Sequence, residues 1–239
     1  MPIADRPAGL TGFLRNIAFY ALFYGGSVPL LALNVVTLLL PRGVLFVMVR
    51  IWCGWHRWCC RQLLGMRVEI EGHVPDHAVL CAMRHESFFE AIDLPILLKN
   101  PVVFAKQELF AIPVWGRLGR HYGLVTVDRG DGARALRAMI AAARALALRP
   151  GQARPLVIFP EGTRVPHGAS PPLQAGFAGL YKMMNLPVVP IAVNSGRLYH
   201  RWWKRAGVVR YRIGAEIPAG LPRDVIEARV HEAINALNV

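Results

Sequence analysis

The chain has 239 residues, enough for one domain with a real core plus an appendage. It is 54% hydrophobic and 18% charged, with a mean hydropathy of +0.34 and a formal net charge of +13. A basic and apolar chain points to an anionic membrane surface; no basic run interleaved with aromatics in a polar context appears, so no nucleic-acid partner is expected.

Most of the positive charge is arginine, which stays ionised and grips phosphate bidentately. A compositional bias toward Arg and Ala gives the same count without that meaning. Cys53, Cys59, Cys60 and Cys81 form no C-x-x-C pair, and three of them lie in an apolar stretch. Neither a disulfide framework nor a metal site is expected, and a reducing cytosolic face is the default.

Residues 17–40 carry no charge and are long enough to cross a hydrocarbon core of about 30 Å. Gly25, Gly26 and Pro29 would weaken a soluble helix but are tolerated in a membrane one. The run is too long for a signal peptide, and no small-residue cleavage site follows it. Arg50, Arg57 and Arg61 fall within roughly 40° of one another on a helical wheel, with Arg42 about 80° away. Trp52, Trp55 and Trp58 sit among them, a pattern that fits a helix lying in the headgroup layer. An ordinary domain helix with a solvated arginine face fits the same spacing. A helical hairpin dipping into one leaflet and a single span followed by a surface helix both agree with the sequence. Residues 1–65 therefore read as membrane-anchoring helices, and 66–239 as a second domain.

From residue 66 the pattern alternates. Strands are expected at "RVEIEG", "HAVLCAMRH", "VVFAKQEL", "LVTVDR", "PLVIF", "VVPIAVN" and "VVRYRIGAEI". Helices are expected at "SFFEAIDLPILLK", "PVWGRLGRHYG", "DGARALRAMIAAARALALR", "AGFAGLYKMMN" and "RDVIEARVHEAINALN". The fold class is α/β: a mixed, partly parallel sheet flanked by helices, behind an N-terminal hydrophobic helical membrane anchor.

The stretch "MRHESFFEAIDLP", 83–95, holds the most informative pair. His85 and Glu90 lie about 140° apart on one regular helix and cannot meet there. They meet if His85 occupies the turn after a strand and Glu90 the first turn of the helix. Ser87 supports that break, because Ser87-Phe-Phe-Glu90 is a capping box. Glu90 then has a structural role as a cap, which does not exclude a chemical one, since a carboxylate has two oxygens. The second motif is "FPEGTR", 159–164, an apolar strand running into a turn. Pro160 and Gly162 turn the chain so that backbone N–H groups point at an anion, and Arg164 adds a bidentate charge. Lys106 and Arg129 each end a strand-like segment on the edge expected for His85. Pro190, inside an apolar strand, argues for an edge or a bulge, or lines an acyl channel.

With these residues in hand, the chain resembles the glycerolipid acyltransferase superfamily, and within it the bacterial 1-acylglycerol-3-phosphate acyltransferases. Four blocks occur in the family's order: "HESFFE", the stretch from Lys106 through Glu108, Leu109 and Pro113 to Arg129, "FPEGTR", and "VVPIAV". Glu90 stands where the family usually has Asp, which moves the carboxylate by one methylene. The resemblance spans roughly residues 66–220. It implies that His85 and Glu90 are catalytic, with His85 as base on the sn-2 hydroxyl of a lysophospholipid. It implies that Lys106, Arg129, Glu161, Gly162, Thr163 and Arg164 bind the substrate phosphate, with the Gly162 N–H aiding an oxyanion. It implies an acyl carrier protein or coenzyme A thioester as co-substrate, with no metal and no cofactor. It implies the cytosolic face of a bacterial inner membrane. No G-x-S-x-G elbow is present, and a thioester needs no enzyme nucleophile. A lyso-ornithine lipid as acceptor and a non-catalytic membrane-binding module are the competing readings.

Overall fold

The computed structural model describes residues 9–127, 132–149 and 151–238. The apolar front end folds back on itself. Helix α1 (Gly9–Val36) runs through Pro29 and ends in a short 3-10 turn, Thr37–Leu39; α2 (Arg42–Leu64) returns antiparallel to it. Gly9–Leu39 is the one described segment long and apolar enough to cross a membrane. The hairpin closes around tryptophans. Trp52 Nε1 donates to Ser27 Oγ at 3.0 Å, and the indole of Trp55 lies where a Cβ on Gly26 would stand 2.7 Å from it. Gly26 thus serves close helix approach rather than flexibility. Gly65, at φ +71°, caps α2 and turns the chain into the sheet.

The second half alternates strand and helix as the sequence predicts. The strands are β1 (Met66–Glu71), β2 (Leu80–Met83), β3 (Val102–Lys106), β4 (Leu124–Val127), the small pair β5 (Leu148–Arg149) and β6 (Gln152–Ala153), β7 (Leu156–Ile158), β8 (Val188–Val193) and β9 (Gly207–Ile213). The helices are α3 (Phe88–Leu97), α4 (Gln107–Phe110), α5 (Trp115–Tyr122), α6 (Gly132–Ala147), α7 (Ala175–Met184) and α8 (Arg223–Ile234). The sheet order is β1-β9-β8-β2-β7-β3-β4. Every pairing in it is parallel except β8 with β9. The last two residues of the expected long helix, Leu148 and Arg149, instead form β5, which pairs antiparallel with β6.

The sheet's two faces are filled separately. One cluster joins Phe19, Phe23, Cys59 and Leu64 of the hairpin to Phe89 and Leu94 of α3 and to Cys81, Met83 and Ile191 of the sheet. The other packs α6, α7 and α8 on Leu80, Ala82, Leu156 and Val188. The hairpin's far end is also held: Leu45 packs with Leu118 and Tyr122 of α5. The hairpin therefore lies along the flank of the α/β unit, gripped near both ends.

That packing corrects the reading of the arginine stripe. Arg50, Trp58 and Arg61 face outward and Arg42 is half-buried. Trp52 and Trp55 turn inward against α1, because their indole N–H groups find partners there. Arg57 forms a bidentate pair with the fully buried Asp93 of α3, at 2.5 and 2.7 Å. A wheel shows which residues share a side, not which partner waits for them. Pro190 is corrected as well. It lies in a central strand, not at an edge, and alternation along β8 puts its side chain on the face covered by α7 and α8. It does lie at an irregularity. Gly214, just beyond β9, donates to the Pro190 carbonyl, and the next pairing on that side comes only at Val188–Ile217. The missing N–H falls in that gap.

Arg57→Leu leaves the Asp93 carboxylate buried without its charge partner. The expected cost is about 3 kcal/mol, read as a lower Tm in detergent solution, with most of it recovered by Arg57→Leu/Asp93→Leu. An unchanged Tm for the single replacement would show that the pair does not hold the hairpin.

Candidate active site

Four neighbouring strands, β2, β7, β3 and β4, run parallel, so their C-terminal ends share one edge of the sheet. His85 follows β2, the 159–164 turn follows β7, and Lys106 ends β3. Arg129, beyond the end of β4, lies outside the described residues. An edge of this kind, facing helix N-termini, is where α/β folds gather ligands.

His85 is held by its backbone before its ring is considered. Its N–H donates to Glu161 Oε2 at 2.8 Å, and its carbonyl accepts from Val165 N at 2.7 Å. Ser87 is the N-cap of α3, with both halves of the capping box formed. Glu90, in the first turn, then reaches back. Its Oε1 accepts from His85 Nδ1 at 2.9 Å and from the N–H groups of Glu86 and Ser87 at 2.6 and 2.7 Å. Its Oε2 accepts from the hydroxyls of Ser87 and Ser195 at 2.9 and 2.5 Å. The capping and histidine-binding roles of Glu90 thus coexist.

Glu90 is fully buried. Burial alone would raise its pKa, but the His85 and Ser195 hydrogen bonds and the Ser87 N–H outweigh that and hold it below the ordinary carboxylate value. An ionised Glu90 only accepts, so the His85 ring proton sits on Nδ1 and the neutral ring presents Nε2 as an acceptor. Phe159 stacks on the imidazole, with centroids 4.1 Å apart and planes 24° from parallel. The His85 side chain keeps 16% of its surface exposed, and among the described residues no hydrogen bond occupies Nε2.

Beneath this pair lies a charge network that sequence reasoning missed. Arg84 is fully buried. Its Nε donates to Glu86 Oε1 at 2.8 Å, and its Nη1 donates to Glu161 Oε1 at 2.9 Å and Asn235 Oδ1 at 2.5 Å. Its Nη2 donates to the Ala169 carbonyl at 2.6 Å. Glu86 also binds Gly196 N at 2.8 Å and His167 Nδ1 at 3.0 Å. An arginine next to the motif histidine reads from sequence as one more surface cation. The two carboxylates that pair with it, two and 77 positions away, were the available signal.

The residues expected to hold phosphate divide. Lys106, Thr163 and Arg164 are exposed on the edge that carries His85. The Arg164 guanidinium lies 4.1 Å over the ring of Phe88, which is itself exposed beside the cap of α3. Glu161 faces the protein interior. It is buried with both oxygens engaged, and burial pushes its carboxyl pKa up against the pull of the His85 N–H and Arg84. A buried carboxylate repels phosphate, so Glu161 supports the loop instead. Gly162 takes φ +70°, the left-handed region that favours glycine, and its N–H closes the turn on the Phe159 carbonyl at 2.9 Å. That N–H is thereby committed, which corrects the expectation that it meets an oxyanion. Among the described residues no group of three or more His, Cys, Asp or Glu side chains is placed to hold a metal ion.

Comparison with known proteins follows the same lines. The sequence model of a family described as Acyltransferase matches residues 65–194. A curated relative from Pseudomonas aeruginosa, named 1-acyl-sn-glycerol-3-phosphate acyltransferase, is 28% identical over 229 residues, 94% of this chain and 86% of its own. A Helicobacter pylori protein of the same name is 29% identical over 145 residues, 59% of this chain and 60% of its own. The crystal structure of the 1-acyl-sn-glycerophosphate (LPA) acyltransferase PlsC from Thermotoga maritima superposes with a TM-score of 0.70 at 20% identity. That match covers 95% of this chain and 98% of the other, and it shows that the two share a fold.

The depressed pKa of Glu90 carries a sign. The stability it contributes is present in full above its unfolded value, near 4.5, and is lost as pH falls through the lower folded value. Glu90→Gln removes this component. The Tm gap between wild type and variant should therefore narrow as pH is lowered from about 6 to about 3. Parallel Tm curves across that range would show that Glu90 is not held ionised by its partners.

Proposed function

The chain belongs to the Acyltransferase family, and from that premise we propose that it moves a fatty acyl group from an acyl thioester to the sn-2 hydroxyl of 1-acylglycerol 3-phosphate, making phosphatidic acid. The observation that carries this reading is the His85–Glu90 contact, which leaves the far nitrogen of the ring at the open edge of the sheet.

His85 Nε2 takes the proton of the acceptor hydroxyl as its oxygen attacks the thioester carbonyl carbon. Glu90 keeps the ring in the competent tautomer and stabilises the imidazolium that forms. The tetrahedral intermediate collapses with loss of thiolate, and the imidazolium returns its proton to the sulfur. One C–O bond forms, one C–S bond breaks, and no acyl-enzyme is needed, because the thioester is already activated. Lys106, Arg129 and Arg164 hold the phosphate, which fixes the neighbouring hydroxyl near His85 and makes the encounter an oriented reaction. Phe88 beneath the Arg164 guanidinium gives that cation an apolar floor, suited to an amphiphile whose phosphate adjoins its acyl chain. An acyl carrier protein or coenzyme A would supply the thioester from the cytosol.

The acceptor stays in the bilayer, so the hairpin's placement matters. It packs along the flank of the α/β unit near both its ends, which supports immersion in one leaflet over a span that would carry one end away. The setting that suits this chemistry is the cytosolic face of a bacterial inner membrane.

His85→Ala is expected to lower kcat by about 10²–10⁴-fold without loss of fold, the scale of general-base catalysis. Measurement is by labelled acyl transfer to a panel of lysolipids; an unchanged rate removes His85 as the base. In the same assay Arg164→Ala should raise KM for 1-acylglycerol 3-phosphate roughly tenfold, the scale of one charge-assisted hydrogen bond, with kcat little altered. Equal effects on a phosphate-free acceptor would move the phosphate elsewhere and favour a lyso-ornithine lipid.

A further inference from the structure

The segment after β8 does two things at once. At its base, Ser195 Oγ donates to Glu90 Oε2 at 2.5 Å and Gly196 N donates to Glu86 Oε2 at 2.8 Å, so it belongs to the scaffold of the site. It then leaves the sheet, and an isolated bridge between Tyr199 and Lys204 closes a tight loop with His200–Trp203 at its tip.

That loop is fastened to α1, not to the α/β unit alone. Asn16 forms a reciprocal pair with the Lys204 backbone, at 2.9 Å to its carbonyl and 2.8 Å from its N–H. Lys204 is buried, and its Nζ donates to Tyr20 Oη at 2.7 Å; Tyr20 Oη in turn donates to the Trp202 carbonyl at 2.7 Å. Trp203 packs on Phe13, centroids 5.6 Å apart. The tip is thus rigid, yet Trp202 is 64% exposed, with the exposed Arg201 guanidinium 4.9 Å over its ring. On α1 beside it, Leu10, Phe13, Leu14 and Ile17 form an exposed apolar stripe at helical spacing.

We propose that the His200–Trp203 loop is a second lipid-contact element, with Trp202 seated at the interface and Arg201 on the phosphates of anionic phospholipids. Three observations support one occupant, the anionic leaflet. The tip is continuous with the apolar outer stripe of α1. An indole is amphipathic and settles at headgroup depth, and arginine matches phosphate geometry. The chain's formal net charge of +13 matches an anionic surface. Because the tip is already ordered by Asn16, Tyr20 and Lys204, little conformational freedom is lost on docking. The consequence is positional: the base of the loop touches Glu90, so its tip sets the height and tilt of His85 against the headgroups.

This inference rests on the reading that α1 lies in lipid. The test uses the full chain, vesicles of phosphatidylglycerol with phosphatidylcholine, and brominated lipids as tryptophan quenchers. Wild type should cosediment with the vesicles, and Trp202→Phe should remove a distinct share of the bromolipid-quenched fluorescence. Arg201→Ala should weaken binding roughly fivefold on anionic vesicles, the scale of one basic residue near such a surface, and leave binding to neutral vesicles unchanged. If wild type binds but Trp202→Phe keeps the same quenched share, or Arg201→Ala binds anionic vesicles as wild type does, the loop proposal fails while the membrane reading of α1 stands. A shift in affinity for an acidic protein donor without any vesicle effect overturns the loop proposal in the same way. If wild type does not cosediment, both fall.

Discussion

The carboxylate of Glu90 is the constraint on which the site depends. It accepts five hydrogen bonds, from the His85 ring, two backbone N–H groups and two hydroxyls. The donors come from several separate parts of the chain. The N–H groups belong to the turn between β2 and α3, one hydroxyl is the N-cap, and the other arrives from the end of β8. A fully buried carboxylate in that position is tolerable only if nearly every lone-pair direction is used. Satisfying Glu90 therefore fixes strand exit, helix start and imidazole orientation together. One oxygen of Glu90, Oε1, reaches the His85 ring and both cap N–H groups.

Arg84 extends that constraint outward. A fully buried guanidinium beside two carboxylates adds little net stability compared with an apolar core of the same size. Its value is geometric. It joins the residue before His85 to Glu161 in the β7 turn, to Asn235 at the end of α8 and to the Ala169 carbonyl. Glu161 then binds the His85 N–H with its other oxygen. The histidine thus sits between two carboxylates with different tasks, one on its ring and one on its backbone. Of the two, Glu161 is the one that the buried Arg84 neutralises, while Glu90 is held by hydrogen bonds from the ring, the cap and Ser195.

Much of this was legible in sequence, and the limit of legibility is physical. Alternating apolar runs gave the α/β class, and Ser87 followed by Glu90 marked the break that lets His85 and Glu90 meet. Strand order was not legible, but the expectation that His85, Lys106 and the "FPEGTR" turn share an edge needed only parallel neighbours. What failed were partner assignments. Arg57, Trp52 and Trp55 looked like headgroup residues because periodicity reports a face and not what covers it. Arg84 and Glu86 lie far in sequence from Glu161 and Ser195, and all four resemble ordinary polar residues, so only the folded chain reveals them as one network. Pro190 was half legible: its strand is central, not an edge, but the irregularity beside it is what the alternative of a bulge called for.

Helix α3 joins these two levels. Glu90 and Asp93 are three residues apart, so they lie on adjoining parts of one helical surface. Glu90 is turned to His85, while Asp93 is turned to Arg57 of the hairpin. The helix that aims the carboxylate at the imidazole is therefore bolted, less than one turn later, to the N-terminal hairpin. Ser195 and the loop that follows make a second connection from the same carboxylate to α1. Two separated connections restrict the hairpin's rotation against the site more than either one alone. The hairpin is thus coupled to the site and not only to the flank of the sheet. For the proposed reaction on a lysolipid held in a bilayer, that coupling would present the imidazole to the hydroxyl from a fixed direction.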